Sequence, residues 1–158
     1  QELRKLPGIE FVEFNSDLVT DEAAFTAETQ RVRRAIETAI RSGRTAAAYT
    51  CRRELVIPGD TPESALLRSV KISDAVQSLV GGLEVRPAFV LAKGGITSSD
   101  VGTKALGVKR ATVLGQICPG VPVWRTGGES RFPGIPYIIF PGNVGSDATL
   151  REAVEKLL

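Results

Sequence analysis

The sequence predicts an α/β fold with three layers, in which a largely parallel sheet carries helices on both faces. Short apolar runs alternate along the chain with amphipathic helical stretches, as in parallel strands joined by crossover helices. One buried strand ends in a glycine turn, and a second strand near the C-terminus ends in the same way. No internal repeat, low-complexity tract or linker divides the sequence, so a single domain is expected.

The first half of the chain supplies two strands and two long helices. A strand over 9–14 precedes a helix that Thr20 is expected to cap, and a strand over 45–51 is small and apolar enough for burial on both faces. Thr61 as N-cap and Pro62 at the first helical position begin the second helix. The expected core stripes are Phe25, Val32, Ile36 and Ile40 in the first helix, and Leu66, Val70, Val76 and Leu79 in the second.

The second half supplies further strands and shorter helices. The apolar run over 86–92 is expected to be a buried strand, 111–114 another strand, and 121–124 an edge strand because it carries a proline. A last strand over 135–140 leads to a closing helix, for which Ser146 is a plausible N-cap. The apolar face of that helix would be formed by Leu150, Val154, Leu157 and Leu158.

The segment 91–100 is the most informative part of the chain. An apolar run ends at Gly94 and Gly95, and Thr97 and Ser98 follow at the start of a helical pattern. Glycine permits a positive φ and lets an anion approach the backbone, while a helix start offers unpaired amides with a partial positive charge. Either hydroxyl could cap the helix or donate to a phosphate oxygen. The turn is therefore a candidate anion site, although a purely structural turn has the same composition.

A second turn of the same kind follows the strand over 135–140. It contains Gly142, Asn143 and Gly145. In an open α/β sheet, the carboxyl ends of parallel strands lie along one edge, where ligands bind. Two glycine turns on that edge would hold a phosphate-bearing ligand from two sides.

These residues also carry a family resemblance. The segment AKGGITSSDVGTKALGVKRATVLGQICPGVPVW, followed by GGESRFPGIPYIIFPGNVG, resembles the C-terminal nucleotide-binding domain of the four-carbon acid sugar kinases. The glycine turn, the PGVP loop and the GN-G turn occur in the family's order, and the match before Arg86 is mainly one of layout. The resemblance implies phosphorylation of sugar acids such as threonate, erythronate or 3-oxo-tetronate, with ATP and Mg²⁺ as cofactors.

The resemblance also implies roles for individual residues, and it places no catalytic residue in this chain. The nucleotide-binding residues that it implies are Gly94, Gly95, Ile96, Thr97, Ser98, Gly142, Asn143 and Gly145. Family members often carry Glu or another residue where Ile96 stands, which leaves only a backbone role for that position.

Composition excludes several other classes of chemistry. The 158 residues are 42% hydrophobic with a formal net charge of +2, which is ordinary for a globular domain and does not indicate a nucleic-acid surface. No apolar run has the length of a membrane span, and a cytoplasmic protein with Cys51 and Cys118 as buried free thiols is expected. Because histidine is absent, Ser-His and Cys-His nucleophiles and His-based zinc sites are excluded.

The chain contains no Met and opens with Gln1-Glu2-Leu3. In the family that it resembles, a further strand and a Gly-Ser turn precede this point. We therefore expect residues 1–158 to be a nucleotide-binding domain without its first strand and without the N-terminal sugar-acid-binding domain.

Five further residues near the turns have competing interpretations. Lys93 and Lys104 could neutralise phosphate charge or lie on the solvated surface. Trp124 could stack on adenine or close the sheet edge as a core residue. Glu129 could help to hold Mg²⁺ or orient a helix, and Asp100 is expected in the first turn of a helix rather than as a base.

The expected function is the ATP-binding half of a four-carbon acid sugar kinase, whose sugar acid binds through the absent domain. The alternative is a non-catalytic α/β module that binds a nucleotide or a phosphorylated metabolite. A third interpretation is an oligomer-forming domain whose glycine turns serve packing only, and a homo-oligomer is compatible with all three.

Overall fold

The computed structural model describes residues 2–51, 53 and 55–158. They form two compact units, a first unit of residues 1–9 and 86–158 and a second unit of residues 10–85. The predicted α/β class is confirmed, since each unit combines a sheet with helices. Within the described residues, no helix combines the length and hydropathy that crossing a membrane requires.

The second unit contains a two-stranded sheet and two long helices. Its elements in chain order are β1 (Ile9–Phe14), a 3₁₀ helix (Ser16–Thr20), α1 (Glu22–Arg41), β2 (Thr45–Thr50) and α2 (Pro62–Gly81). The expected cap at Thr20 is wrong, because Thr20 ends the 3₁₀ helix and the Asp21 carboxylate accepts from the amide of Ala24. Thr61 caps α2 as expected, accepting from the amide of Ser64.

Two predictions of burial in the second unit are wrong. The residues of β2 are half-buried or exposed rather than buried on both faces. In α2, Leu79 is buried as expected, but Leu66 is 64% exposed and Val70 is 50% exposed. In α1, by contrast, the expected stripe is buried at Phe25, Val32 and Ile36. Periodicity therefore identified both helices but did not say how far along each helix the core extends.

The first unit contains a four-stranded sheet and two short helices. Its elements are β3 (Val90–Lys93), α3 (Gly95–Asp100), β4 (Ala111–Cys118), β5 (Val121–Thr126), β6 (Pro136–Phe140) and α4 (Thr149–Glu155). A π-helical turn (Val101–Ala105) continues α3, and a 3₁₀ helix (Glu2–Lys5) lies at the start of the chain. The strand predicted over 86–92 is shorter, and the strand predicted over 111–114 is longer.

The strand order of this sheet is β3-β6-β5-β4. Only β3 and β6 are parallel, while β6 with β5 and β5 with β4 are antiparallel, so the sheet is mixed where largely parallel pairing was expected. The predicted edge position of 121–124 is also wrong, since β5 lies between two strands. Pro122 is tolerated because the pairing with β6 begins at Val123 and the pairing with β4 is irregular beside Gln116.

Helices cover both faces of the four-stranded sheet. Side chains alternate along β6, so Ile138 and Phe140 join the buried cluster that includes Ala153 of α4. Tyr137 lies on the opposite face, where its ring is 3.1 Å from a Cβ built on Gly102 of the π-helical turn. The first unit thus has three layers, with α3 and its π-helical turn on one face and α4 on the other.

Candidate functional site

The two glycine turns meet at one edge of the four-stranded sheet. Because β3 and β6 are parallel neighbours, with Lys93 opposite Phe140, both strands end at the same edge. The amide of Gly94 donates to the carbonyl of Phe140 at 2.8 Å. A Cβ built on Gly142 would lie 3.9 Å from the Cα of Gly94. The expectation that the turns share one edge is confirmed.

The first turn places a positive φ at Gly94 and leaves space at Gly95. Gly94 has φ 108° and ψ 144°, a conformation that favours glycine, and it precedes the first residue of α3. Gly95 has no positive φ, and a Cβ built on it would meet no atom within 4 Å. No side chain caps α3, so neither Thr97 nor Ser98 has the expected capping role. The first amides of α3 therefore stay available to a ligand.

Ser98 fastens the helix to the sheet. Its side chain is buried, and its hydroxyl donates to the carbonyl of Ala92 at 2.8 Å. The carbonyl of Ser98 accepts a hydrogen bond from the hydroxyl of Tyr137. Burial raises the pKa of Tyr137, so this phenol stays protonated and keeps donating. The geometry therefore gives the Ser98 side chain a positioning task, and it brings Tyr137, which sequence reasoning missed, to the site.

The remaining predicted residues of the first turn lie at the surface. The side chain of Ile96 is 76% exposed, and Thr97 is half-buried. Lys93 lies 4.6 Å from the ring centroid of Phe140, and Lys104 pairs with Asp100 at 3.2 Å. Asp100 ends α3 rather than occupying its first turn, so that expectation is wrong. The structure thus keeps two cations beside the turn, each engaged with a neighbouring group.

The second turn combines an exposed part and a packed part. Gly142 and Asn143 are exposed, whereas Gly145 has φ 84° and a Cβ built on it would lie 2.6 Å from atoms of Thr149. The expected N-cap at Ser146 is wrong, because α4 begins at Thr149. Ser146 instead closes the turn before the helix, since its amide donates to the Thr149 hydroxyl at 2.8 Å and its hydroxyl accepts from Ala148.

A cavity of about 270 Å³ extends from the first turn along α3. Its walls include Gly95, Gly102, Trp124, Tyr137 and Ile139. Trp124 is half-buried and lines this cavity rather than closing the edge of the sheet. Gly102 is a sequence signal for the packing of Tyr137 against the helix, since a glycine within a helical pattern is unfavourable and points to a packing reason.

Glu129 organises a loop. Its carboxylate accepts from the backbone amides of Lys109 at 2.9 Å and Arg110 at 2.7 Å. Hydrogen bonds from backbone amides, including its own, lower the pKa of Glu129. Among residues 2–51, 53 and 55–158, no group of three or more Cys, Asp or Glu side chains could hold a metal ion.

Comparison with solved structures supports the fold. A Bordetella bronchiseptica protein of the DUF1537 family, solved with bound citrate as a domain-swapped dimer, is 21% identical with a TM-score of 0.65 over 95% of this chain and 35% of its own. A Haemophilus influenzae DUF1537 protein is 19% identical with a TM-score of 0.68, over 94% of this chain and 34% of its own. A Salmonella typhimurium LT2 protein provisionally named a tRNA synthase is 15% identical with a TM-score of 0.57, over 96% of this chain and 40% of its own.

This chain therefore spans little more than a third of the solved chains that it resembles. No curated protein matches it significantly. The family model described as a nucleotide-binding C-terminal domain matches residues 1–150, and this match agrees with the two glycine turns at one edge of the sheet. The chain belongs to the family of nucleotide-binding C-terminal domains.

Proposed function

We propose that this chain is the ATP-binding half of a kinase that phosphorylates four-carbon sugar acids such as threonate, erythronate or 3-oxo-tetronate. The observation that carries the proposal is the meeting of the two glycine turns, with Gly142 next to Gly94 at the start of α3. In this proposal the nucleotide site is formed by Gly94, Gly95, Ile96, Thr97, Ser98, Gly142, Asn143 and Gly145, among which Ser98 and Gly145 shape the two turns. Residues 1–158 form one nucleotide-binding domain in this proposal.

The first turn supports phosphate binding through its backbone. The uncapped amides at the start of α3 and the partial positive charge of the helix both favour an anion. The space in front of Gly95 lets phosphate oxygens approach those amides without meeting a side chain. Ser98 acts indirectly, since its bonds to Ala92 and Tyr137 fix the helix relative to the strand.

Phosphoryl transfer depends mainly on positioning and on charge stabilisation, with Mg²⁺ bridging phosphate oxygens. The task of this chain is to hold ATP so that its γ-phosphoryl group faces the sugar acid. The base that activates the sugar hydroxyl would belong to the N-terminal sugar-acid-binding domain, since the nearby carboxylates of Asp100 and Glu129 pair with Lys104 and with backbone amides. The citrate in the Bordetella bronchiseptica relative supports a carboxylic acid as the substrate of the whole protein.

The test uses the full-length protein that contains this chain, together with the 158-residue chain alone. We expect the full-length protein to release ADP from Mg-ATP only when a four-carbon sugar acid is added, and the chain alone to bind ADP without phosphorylating any acid. Binding of ATP without turnover of any acid would favour the non-catalytic module. Phosphorylation of threonate or erythronate by the chain alone would contradict the assignment of the chemistry to the other half.

A further inference from the structure

The cavity beside the first glycine turn is placed where a second part of a nucleotide could bind, next to the proposed phosphate site. It lies between the helix formed by α3 with its π-helical turn and the sheet face that carries Tyr137 and Ile139. Its lining includes Gly95 at the turn, Thr103 further along the helix and Trp124 of β5. Thr103 follows Gly95 by eight positions along α3 and its π-helical turn, a distance of roughly 12 Å at a rise close to that of an α-helix. A nucleoside attached to a phosphate at Gly95 would therefore have room to extend along the helix.

The walls of the cavity are mostly apolar. Trp124 supplies a half-buried aromatic ring, and Tyr137 and Ile139 form the floor. The volume of about 270 Å³ is close to the lower end of known small-ligand pockets, about 300 Å³. Apolar walls that include the rings of Trp124 and Tyr137 are suited to a planar heterocycle, because aromatic rings stack on every nucleobase.

The polar groups around the cavity are mostly engaged within the protein. The Tyr137 hydroxyl donates to the carbonyl of Ser98, and the Thr103 hydroxyl donates to the carbonyl of Ser99 at 2.8 Å. The Ser98 hydroxyl donates to the carbonyl of Ala92. In the described part of the chain, the Ser99 hydroxyl and the indole N–H of Trp124 are the lining side-chain groups without such a bond, and Ser99 is exposed. A hydroxyl can rotate to donate or to accept, so it can serve the amino group of adenine and the carbonyl of guanine alike.

We infer that this cavity binds the nucleobase of the bound nucleotide by stacking on Trp124, and that it discriminates little between purines. The inference rests on the proposed nucleotide site, since it needs a phosphate anchored at Gly95. It adds a nucleobase-binding residue, Trp124, and an expectation of low base selectivity. Strong selectivity needs buried groups that hydrogen-bond only to the correct base, whereas the two lining groups left for a base belong to the exposed Ser99 and the half-buried Trp124.

The chain offers a direct probe, because Trp124 is its single tryptophan. Purified chain would be titrated with ADP, GDP and inorganic tripolyphosphate while tryptophan fluorescence and heat are recorded. We expect ADP and GDP to change the fluorescence and to bind with affinities within about tenfold of each other. Tripolyphosphate should bind, with heat released or absorbed, and leave the fluorescence nearly unchanged, since it carries no base.

A substitution series separates stacking from folding. Trp124→Leu should weaken ADP binding by roughly tenfold to a hundredfold and leave tripolyphosphate binding unchanged, while Trp124→Phe should restore most of the ADP affinity. The matched control is Val113→Ala, because Val113 pairs with Trp124 on the neighbouring strand, is 69% exposed and lies outside the cavity. This control should bind ADP like the parent chain.

The outcomes distinguish this inference from the proposed function. If ADP and tripolyphosphate both fail to bind a folded chain, the nucleotide site itself is wrong. A second outcome would contradict the cavity inference alone. In it, ADP binds and Gly95→Val abolishes that binding, but ADP leaves the tryptophan fluorescence unchanged and Trp124→Leu leaves the ADP affinity unchanged. The nucleobase would then lie elsewhere. A preference of more than a hundredfold for ADP over GDP would overturn the expected lack of base discrimination.

Discussion

The two glycine turns meet at one edge of the sheet but use glycine for different physical reasons. In the first turn, Gly94 has a positive φ, and Gly95 has an ordinary φ with open space in front of it. In the second turn, Gly145 has a positive φ, and its Cβ position is occupied by the side chain of Thr149. Gly95 therefore leaves open space at the turn, whereas the space in front of Gly145 is occupied by Thr149.

This comparison separates function from packing more sharply than sequence can. A glycine that faces open space and needs no special backbone conformation has no structural reason to be glycine. Gly95 fits this description, whereas Gly145 meets both structural requirements. Substitutions at the two positions should accordingly affect different quantities, ligand affinity in one case and stability in the other.

The largest expected effect is on nucleotide affinity. Gly95→Val should weaken ADP binding at least a hundredfold, about 2.7 kcal/mol, because the branched side chain fills the space that a phosphate would need. The melting temperature should stay close to that of the parent, since no atom lies within 4 Å of the added Cβ. Calorimetric titration with ADP and a thermal melt measure the two quantities.

A matched control for this variant is Gly128→Val, since Gly128 also has open space and no positive φ but lies in the loop that follows β5. It should bind ADP like the parent. A folded Gly95→Val variant with parental ADP affinity would show that the first turn does not hold phosphate.

The next effect is on stability, at Gly145. Gly145→Ala should lower the free energy of unfolding by about 2–4 kcal/mol, combining left-handed strain of about 1–2 kcal/mol with crowding against Thr149. Gly107→Ala is the matched control, because Gly107 has φ 62° and no atom within 4 Å of its Cβ position. Its free energy of unfolding should fall only by the strain contribution of about 1–2 kcal/mol. If denaturant unfolding shows the same loss of unfolding free energy in both variants, the Thr149 side chain moves aside without an energetic penalty.

The sequence was sufficient to locate the turns because their signals are local. Apolar runs that stop at glycines predicted where β3 and β6 end, and Thr61 with Pro62 predicted the start of α2. That the turns share an edge followed from parallel pairing of their strands, which holds for this pair. The rest of the sheet followed a different rule: Pro119 and Gly120 form a two-residue connection, so β4 and β5 make an antiparallel hairpin. The Pro-Gly pair was visible in the sequence, and it predicts the antiparallel pairing of β4 with β5 better than the general α/β pattern does.

Other features depend on contacts between distant residues, and no local pattern reveals them. Ser98 looks like a phosphate donor in sequence, but Tyr137, which is 39 residues away, and Ala92 fix it inside the structure. Glu129 looks like a metal ligand, but the amides of Lys109 and Arg110 bind its carboxylate. In both cases the residue type was compatible with a ligand, and the tertiary structure engaged the polar group first.

The smallest expected effect tests the exposed part of the second turn. Asn143 is exposed, and in the described residues its side chain makes no hydrogen bond that its loss would break. Asn143→Ala should therefore change stability by no more than about 0.5 kcal/mol, as is usual for surface substitutions. If Asn143 contacts the nucleotide, the same change should weaken ATP binding by about tenfold, the equivalent of one hydrogen bond. In the full-length protein, sugar-acid binding should stay nearly unchanged, because the acid binds through the other domain.

Asn143→Asp sharpens this last test because it keeps the size of the side chain and adds a negative charge. Near a phosphate, that charge should weaken ATP binding further than Asn143→Ala does, and the difference should shrink at high salt as screening increases. Calorimetric titrations of both variants with ATP and with the sugar acid, at low and high salt, provide the measurement. Parental ATP affinity in both variants, together with a lowered melting temperature, would mean that Asn143 stabilises the turn and that the nucleotide is held by the first turn alone.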